Sequence, residues 1–579
     1  MKQTYIIIVA ILSLLNSQLS FLQCQVLFTD TAPALGLNDP GAGQGAVFLD
    51  VNNDGYLDIF LVNNNNPNKL WINNSGASFS DQSAVFGLSL NAAGRGCSSG
   101  DYDNDGLIDI MVGNFNQTLV LYKNNTTTYT IVTSVAGISF TSWGGSINWF
   151  DCNSDGRLDA VLGNDGVPYH YNYLFRNDNL TSFTNVAYAS GLTDSASTLT
   201  IAGSDYDNDG DIDLFCGSQT NLGASGTGLL YRNNGGSFSD VTIASGIVTG
   251  NYTWGADWGD YDNDGDMDLY LANFTGLNQL YKNNGNGTFT ETAVSLGLND
   301  AGQSFSCGWF DYDNDGDIDL YIAKSSTAVD RLYQNNEGSF TDVAATVGTN
   351  DTRHSANITL GDYNNDGFLD IYLVNNGSEN RLYKSNAGNS NKWVILKLRG
   401  VVSNRSAVGA RVTVKTGSWR QIREVQGGSG GKGQNSLPVE FGIGGSSVID
   451  SLIVRWPSGN VQAFTSVAPN VIYSLVEGQG LSSINVTGTE IPHSFALEQN
   501  YPNPFNPVTN VKFQIPIAAF VKLIIYDITG REITTLVNEQ LNAGTYQADW
   551  DASGYPSGVY LYKLLADGFT DVKKMMLLK

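Results

Sequence analysis

The sequence has little of what most enzymes need. Its 579 residues include only three histidines, His170, His354 and His493. Neither the H-E-x-x-H pair of zinc proteases nor the lysine-containing phosphate loop of nucleotide-binding proteins occurs. We therefore predict that the protein is not an enzyme. The weakest alternative is a calcium-dependent polysaccharide lyase that uses an arginine or lysine as its base.

Long hydrophobic runs are also missing, apart from one at the N-terminus. Lys2 precedes an apolar run from Tyr5 to Leu15, and a polar, small-residue stretch follows it. A membrane-spanning helix needs about 20 apolar residues, so this run is too short and is typical of a secretory signal peptide. We predict that residues 1–24 are the signal peptide and that no transmembrane segment remains. Lipidation at Cys24 is the less favoured alternative.

Cysteine is sparse, with five in the chain. Outside the signal segment only Cys97, Cys152, Cys216 and Cys307 remain, and no C-x-x-C pair occurs. Cys97 and Cys307 occupy the same register in different repeats, so we expect buried thiols and no disulfides.

Positive charge is scarce too. Lysine and arginine number 30 against 56 aspartates and glutamates, which gives a formal net charge of −26 and argues against nucleic acid or an anionic membrane as partner. The basic residues are unevenly placed, because ten of them and only three acidic residues lie between Lys392 and Arg455. A different domain is therefore expected from about residue 390. Its basic stretch either docks on the acidic part of the chain or meets an anionic glycan.

What the chain has in abundance is a nine-residue acidic segment that recurs seven times. It first reads Asp50-Val-Asn-Asn-Asp-Gly-Tyr-Leu-Asp58, and later copies begin at Asp101, Asp151, Asp205, Asp260, Asp311 and Asp362, 50 to 55 residues apart. A short segment precedes each copy, and alternating apolar, Leu-Tyr and Gly-x-Phe segments recur behind it. Each repeat thus supplies four short strands, the content of one propeller blade.

The two ends of the repeat array predict a closed ring. A lone fourth-strand segment, Leu27-Phe-Thr-Asp30, precedes the first copy, and the seventh repeat stops after Leu382-Tyr383 without one. The N-terminal strand would complete the seventh blade and leave no open sheet edge. We therefore predict an all-β chain with a seven-bladed β-propeller over residues 25–388.

The acidic segment has the oxygen donors that Ca²⁺ prefers. Positions 1, 3, 5 and 9 carry side-chain oxygens, position 7 can offer its carbonyl, and glycine at position 6 permits the turn. The aspartate at position 9 is expected to close the site as a bidentate ligand. We predict up to seven structural Ca²⁺ ions, held by Asp50, Asn52, Asp54, Tyr56 and Asp58; Asp101, Asp103, Asp105, Leu107 and Asp109; Asp151, Asn153, Asp155, Arg157 and Asp159; Asp205, Asp207, Asp209, Asp211 and Asp213; Asp260, Asp262, Asp264, Asp266 and Asp268; Asp311, Asp313, Asp315, Asp317 and Asp319; and Asp362, Asn364, Asp366, Phe368 and Asp370.

The loop has two alternative interpretations, an EF-hand or dockerin loop and a metal-free turn. EF-hand and dockerin loops enter helices and end with an acid at position 12, whereas β alternation follows position 9 here. A metal-free scaffold of Asx turns is the second alternative.

These repeats resemble the FG-GAP/VCBS repeats of integrin α-chain propellers and their bacterial relatives, which implies calcium binding and extracellular interaction. Residues 389–478 are similar to the ASPIC/UnbV domain, through Val408-Gly-Ala-Arg-Val412, Gly427-Gly-Ser-Gly430 and Val454-Arg-Trp-Pro-Ser-Gly459. We expect a small β-rich domain here. The combination resembles the cartilage acidic protein family, for which no reaction is implied.

Residues 493–579 resemble the C-terminal sorting domain of type IX secretion. The segment opens with Asn500-Tyr-Pro-Asn-Pro-Phe-Asn-Pro507, and its alternating strands alone predict an Ig-like antiparallel β-sandwich. Residues 479–492 are predicted to be a polar linker. The resemblance implies passage through the type IX secretion machinery of a Bacteroidota-like bacterium, to the medium or the outer cell surface.

Ligands are expected on the rim opposite the acidic loops, where the remaining connections of a four-stranded blade lie. Aromatic side chains over a shallow face suit either a protein hot spot or sugar stacking. The candidate ligand-binding residues are Trp143, Tyr169, His170, Tyr171, Tyr252, Trp254 and Phe274. Packing between blades is the plainer reading of each. We predict an extracellular interaction or adhesion module that binds a protein, with a lectin-like module for exported polysaccharide as the alternative.

Overall fold

The computed structural model describes residues 27–579, except 38, 40, 166–170, 194–196, 219–227, 326–327, 387, 489–491, 493, 518 and 542–543. The predicted signal segment with Cys24, and Tyr169 and His170 of the predicted ligand face, lie outside the described residues. The described part is all-β, with five one-turn helices: α1 (Ala32–Leu35), α2 (Ala187–Ser190), α3 (Thr242–Ser245), α4 (Ala293–Leu296) and α5 (Ala344–Val347). No helix in it is long and apolar enough to cross a membrane.

The first two thirds of the chain repeat a unit of four antiparallel strands. After β1 (Phe28–Asp30), the first units are β2 (Gly43–Leu49), β3 (Asp58–Pro67), β4 (Lys69–Asn73) and β5 (Phe79–Asp81); β6 (Asn91–Gly100), β7 (Asp109–Thr118), β8 (Val120–Asn124) and β9 (Tyr129–Ile131); and, behind the short β10 (Thr141–Trp143), β11 (Ile147–Phe150), β12 (Asp159–Leu162), β13 (Tyr173–Asn177) and β14 (Phe183–Asn185). The later units are β15 (Thr198–Ser204), β16 (Asp213–Ser218), β17 (Leu229–Asn233) and β18 (Phe238–Asp240); β19 (Thr253–Gly259), β20 (Asp268–Asn273), β21 (Gln279–Asn283) and β22 (Phe289–Glu291); β23 (Ser304–Phe310), β24 (Asp319–Lys324), β25 (Arg331–Asn336) and β26 (Ser339–Asp342); and β27 (Ser355–Gly361), β28 (Asp370–Asn375) and β29 (Arg381–Ser385). Each acidic loop joins the first and second strands of its unit.

The last unit takes its fourth strand from the N-terminus. Strand β1 pairs antiparallel with β29, and Phe28 lies opposite Ser385. The first strands of successive units contact one another in chain order, and β27 contacts β2. The units therefore follow one another around a central channel. Beyond this arrangement, β3 also pairs with β6, which joins the first two units in one sheet.

The repeated aromatic residues pack between neighbouring units. The tyrosine at position 2 of an acidic loop contacts the phenylalanine on the fourth strand of the following unit, in the pairs Tyr102–Phe183, Tyr206–Phe289, Tyr261–Phe340 and Tyr363–Phe79. Phe28 of β1 takes the same place against Tyr312. In these five units the phenylalanine of the fourth strand thus packs against the neighbouring unit. No disulfide forms among the described residues and the four cysteines are buried, which confirms the prediction for them.

The second domain consists of two β-sheets. Its strands are β30 (Lys392–Arg399), β31 (Arg411–Thr416), β32 (Trp419–Glu424), β33 (Val439–Gly444), β34 (Ile449–Arg455), β35 (Val461–Val467) and β36 (Val471–Val476). Strands β32, β31, β34 and β35 form one sheet, and β33, β30 and β36 begin the other, in which β30 and β36 run parallel. Its apolar side chains, including Val394, Leu396 and Trp456, share a hydrophobic cluster with the second to fourth units.

The second domain and the C-terminal region share a sheet. The C-terminal strands are β37 (Ser482–Gly488), β38 (Ala496–Leu497), β39 (Val508–Ile515), β40 (Ala519–Asp527), β41 (Glu532–Leu541), β42 (Gly544–Asp551), β43 (Gly558–Ala566) and β44 (Phe569–Leu577). Strand β37 pairs with β36 on one side and β42 on the other. The prediction of a polar linker over 479–492 is therefore wrong for 482–488, because two sheet edges capture that segment. Strands β41, β40, β43 and β44 form the opposing sheet, and both sheets contribute to one apolar core.

Glu477 holds the end of the second domain together. Its carboxylate accepts N–H bonds from three consecutive residues, Val401, Val402 and Ser403, at 2.8–2.9 Å. The side chains of Ser458 and Asn460 also donate to it. Burial opposes ionisation, but these hydrogen bonds outweigh it and lower the pKa of Glu477 to about 2.

We expect Glu477→Gln to destabilise the second domain by about 2–3 kcal/mol, because a neutral amide accepts these N–H bonds less well than a carboxylate. The pKa is lowered in the folded state from an ordinary value of 4.5, so the difference should be complete above about pH 5.5 and fade as the pH falls through 4.5 towards 2. Urea unfolding at several pH values measures it. A variant as stable as the parent at pH 7 would contradict this role.

Candidate metal sites

Each acidic loop wraps its backbone around the carboxylate at position 1. In the first loop Asp50 accepts the N–H of Asp54 at 3.0 Å and that of Gly55 at 2.8 Å. Asp54 in turn accepts the N–H of Tyr56 at 2.9 Å. The bond from the position-6 glycine recurs in all seven loops. The loop conformation is thus encoded by its own aspartates.

The position-9 aspartate ties the loop to the sheet. Asp58 is fully buried and accepts the N–H of Val51 at 3.0 Å and that of Asn73, on the third strand, at 2.8 Å. In all seven units the third strand donates this bond. Position 9 therefore has a structural role, and its predicted bidentate contact with a metal remains a prediction.

Oxygen atoms converge in these loops as a metal site requires. Carboxylate oxygens lie within 4.8 Å of one another in four groups: Asp101, Asp103 and Asp109; Asp205, Asp207 and Asp213; Asp260, Asp262 and Asp268; and Asp311, Asp313 and Asp315. At position 3, one buried side-chain oxygen accepts no hydrogen bond in Asp103, Asn153, Asp207, Asp262 and Asp313. An all-oxygen donor set with unsatisfied oxygens fits a hard cation such as Ca²⁺.

The electrostatics of the loops favour a bound cation. Burial, followed by the nearby Asp54 carboxylate, raises the pKa of Asp50 to about 7. Burial likewise raises the pKa of Asp101, Asp260 and Asp362 to about 7 and that of Asp151 and Asp205 to about 6. Basic side chains offset part of the charge: Lys123 contacts Asp103 and Lys282 contacts Asp262. In two other loops Arg157 contacts Asp155, and Lys384 Nζ lies 3.8 Å from Asp366 Oδ2.

Position 4 connects neighbouring loops, a role that the sequence reasoning missed. This residue has a left-handed backbone in every loop, with φ between 56° and 64°. Its side chain donates to the following loop: Asn53 to Gly106, Asn104 to Gly156, Ser154 to Asp211, Asn208 to Asp266, Asn263 to Gly316 and Asp317, Asn314 to Gly367, and Asn365 back to Gly55. The near-constant asparagine there was the available signal.

The second domain covers the rim that carries the acidic loops. Every position-6 glycine faces it: Gly55 lies against Lys397, Gly106 against Arg405, Gly156 against Val402, Gly210 against Arg455, Gly265 against Arg420, Gly316 against Trp419 and Gly367 against Trp393. The Nζ atom of Lys397 donates to the Gly55 carbonyl at 2.9 Å, and Arg455 Nη2 lies 2.9 Å from Asp205 Oδ2. Of the two uses proposed for the basic stretch, docking on the acidic rim is the one observed.

A glycine-rich loop of the second domain enters the central channel. We call residues 427–434 the channel loop. Gly427 accepts the N–H of Trp149 at 2.9 Å, Lys432 accepts that of Cys97 at 3.1 Å, and the side chain of Gln434 accepts that of Ser99 at 2.6 Å. Side chains on Gly427 or Gly433 would collide with the backbone of the first strands, so close approach requires glycine.

The predicted ligand residues fall into separate groups on the opposite rim. Trp254 stacks on Phe274 with ring centroids 4.8 Å apart, and Phe305 meets its edge at 4.6 Å. Trp143 packs against Phe115, and both are distant in sequence from the Trp254 group. Tyr171 is 47% exposed and lies near Tyr188, which is also exposed. Tyr252 hydrogen-bonds through its backbone to the Thr275 side chain.

Comparison with known proteins assigns all three parts of the chain. The fold and the loops define a class, the repeat β-proteins with acidic turns between paired strands. Six overlapping matches to the FG-GAP-like repeat run together from residue 50 to residue 373, and the chain belongs to that family. Residues 400–482 match the ASPIC and UnbV domain, and residues 499–578 match the secretion system C-terminal sorting domain. The sequence-based resemblances are thereby confirmed, and the protein is a secreted or outer-surface protein of the Bacteroidota.

Known relatives match about half of this chain. Cartilage acidic protein 1 of Mus musculus is 26% identical over 283 residues, which are 46% of this chain and 42% of that protein. For the Xenopus tropicalis protein the identity is 26% over 320 residues, with coverages of 51% and 47%. The chain thus spans less than half the length of these relatives.

Solved structures similar to this chain include propellers. The Dos1 propeller has a TM-score of 0.38 at 11% identity, covering 60% of this chain and 79% of that one. The SapL1 lectin, solved with alpha methyl fucoside, has a TM-score of 0.34 at 10% identity, with coverages of 52% and 95%.

Substitutions at Asn314 can separate the effect of the position-4 hydrogen bond from that of the left-handed backbone. Asn314 is buried and donates to the Gly367 carbonyl at 2.9 Å. Asn314→Gly should cost about 1 kcal/mol, because the bond is lost and the left-handed backbone is kept. Asn314→Ala should cost about 1–2 kcal/mol more, because alanine disfavours that backbone. Thermal unfolding of both variants measures this, and equal losses would refute the conformational part.

Proposed function

We propose that this exported protein is a calcium-stabilised, seven-bladed β-propeller that acts as a cell-surface or extracellular interaction module. The cyclic contacts of the first strands, the pairing of β1 with β29, and the return of the Asn365 bond to Gly55 support a closed ring. An Ig-like C-terminal sandwich, handled by the type IX machinery, would complete the chain.

The proposed calcium is structural. The unsatisfied position-3 oxygens are the observation that carries the metal proposal. In each loop the ion would be held by the side chains at positions 1, 3, 5 and 9 and by the carbonyl at position 7. Its charge would stabilise the ionised carboxylates. Because the second domain lies over this rim, a partner protein has little access to the ions.

A binding role is proposed in place of a catalytic one. Residues 427–431 do match the letters of the G-x-S-x-G nucleophile elbow. Ser429, however, is buried in the channel loop, and its Oγ accepts the N–H of Asn435 at 2.9 Å. It does not lie on the strand-to-helix turn that exposes a hydrolase nucleophile.

Calcium removal tests the proposal. We expect the chelated protein to melt at least about 5 °C below the calcium-loaded protein, since ligands of the folded state stabilise it by mass action. Without calcium, the carboxyl pKa values raised to about 6–7 mean that the folded state holds more protons than the unfolded state, so stability should fall as pH rises from 4 to 7. The melting-temperature gap should therefore widen between pH 5 and pH 7.5. Equal melting temperatures with calcium and with chelator would refute structural calcium.

The free rim is where a partner is proposed to bind. Tyr171 and Tyr188 are 47% and 76% exposed, with ring centroids 6.4 Å apart. Exposed aromatic pairs serve both protein hot spots and sugar stacking, so this pair is also the observation that keeps the lectin alternative.

Replacing both tyrosines by alanine should weaken partner capture at least about tenfold and leave the melting temperature unchanged, because neither ring is buried. The measurement is binding to a glycan array and to extracellular proteins, in calcium, with Ile243→Ala as a matched exposed control. Specific glycan hits lost in the double variant would favour the lectin reading. Unchanged capture would remove this pair from the proposed surface.

A further inference from the structure

The channel loop carries a lysine through the ring to its far side. Lys432 follows Gly430 and Gly431, whose neighbours are Cys307 and Trp254 on the first strands of the sixth and fifth units. Its side chain is 5% exposed, and its Nζ atom lies 3.4 Å from Gln44 Oε1 and 5.2 Å from the centre of the Trp254 ring. The second domain thus places a cation at the mouth of the channel opposite the acidic loops.

A second cation stands beside it. Arg95 lies over the Phe115 ring at 4.6 Å, and its Nε atom is buried without a hydrogen-bond partner. Among the described residues, neither Lys432 nor Arg95 forms an ion pair with a carboxylate. This is unusual in a chain of net charge −26, in which other cations of the second domain, such as Lys397 and Arg455, contact the acidic rim.

The groups that face Lys432 leave an excess of positive charge. Burial and then Arg95 lower the pKa of Lys432 to about 7, and Asp165 opposes them. Asp165 is itself bound by the Ser197 hydroxyl at 2.6 Å. His354 adds no charge at neutral pH, because burial and Lys432 lower its pKa. A ligand carboxylate would raise the pKa of Lys432 and favour its charged form. Among the described residues, Lys432 and Arg95 would then face the single carboxylate of Asp165, which leaves room for one more negative charge.

The surrounding rings restrict the kind of ligand. Phe274 covers one face of Trp254, Lys432 lies over the ring, and Phe305 meets its edge. Phe274 and Lys432 thus lie over the Trp254 ring, where a stacked sugar would have to bind. The buried Nε1 atom of Trp254 has no hydrogen-bond partner and is a further donor in this group of side chains. Donors and apolar ring edges suit a carboxylate flanked by apolar side chains.

We propose that the channel mouth around Lys432 and Arg95 binds one glutamate or aspartate carboxylate of an acidic peptide segment in a partner protein. The side chains would supply charge-assisted hydrogen bonds, which are the strong ones in a partly buried site. This inference rests on the proposed function as an interaction module and names the chemistry that the module recognises.

The test uses the full exported chain in calcium and an array of labelled peptides, each with one central glutamate or aspartate and varied apolar flanks. Matched peptides carry glutamine or asparagine at that position. The parent protein should prefer the acidic peptides at least about tenfold, and K432Q and R95Q should each lose that preference. K415Q, which removes an exposed lysine of the same domain, should keep it.

Three results would overturn the proposal: no preference of the parent for acidic peptides, a preference that survives K432Q and R95Q, or binding to oligogalacturonate in place of peptides. K432R keeps the charge and should retain part of the preference, so a folding defect of K432Q does not blur the answer. The calcium-dependent melting shift is measured on the same variants. If that shift persists while the peptide preference is absent, this inference fails and the calcium proposal stands.

Discussion

The crowding of carboxylates on one rim is the constraint on which the rest of the structure depends. Buried aspartates at positions 1 and 9 of each loop repel one another, and burial raises their pKa. Two features of the chain offset this repulsion: backbone N–H donors inside each loop, and cations such as Lys397 and Arg455 of the second domain. In five loops a buried position-3 oxygen still accepts no hydrogen bond, and the proposed Ca²⁺ would bind there and neutralise further charge.

The ring is held by contacts that each repeat hands to the next. The position-4 side chain and the position-2 tyrosine both reach across a boundary between units, and the same pairs recur at the point where the N-terminal strand meets the last unit. A unit without its neighbour would expose the aromatic side chain that is otherwise buried, and would leave the position-4 amide without its hydrogen-bond acceptor. The stability of such arrays therefore depends on the interfaces between neighbouring units, and a substitution at one interface destabilises both units that form it.

Sequence alone predicts much of the fold because the same residues are written seven times. The four strands per repeat and the displaced N-terminal strand follow from comparing copies, and both are observed. Position 4 was missed because its partner lies some fifty residues away, which a single loop does not reveal. The strand at 482–488 was not predicted because its polar composition resembles that of a linker. It forms a strand because it pairs with β36 on one side and β42 on the other. The packing around Trp254 could not be predicted from the sequence, because its neighbours come from three distant segments.

The channel loop links the second domain to both rims of the propeller. The glycines of the channel loop, which resemble the ASPIC/UnbV signature, are required because the loop passes between closely spaced first strands. Through this loop the second domain forms part of the interior of the ring. The acidic loops therefore lie at the interface between the two domains. The opposite rim, which sequence reasoning treated as a surface of propeller loops alone, receives Lys432 from the second domain. The propeller without that domain would present a different charge at its free face, so the pair of domains is the unit in which recognition has to be understood.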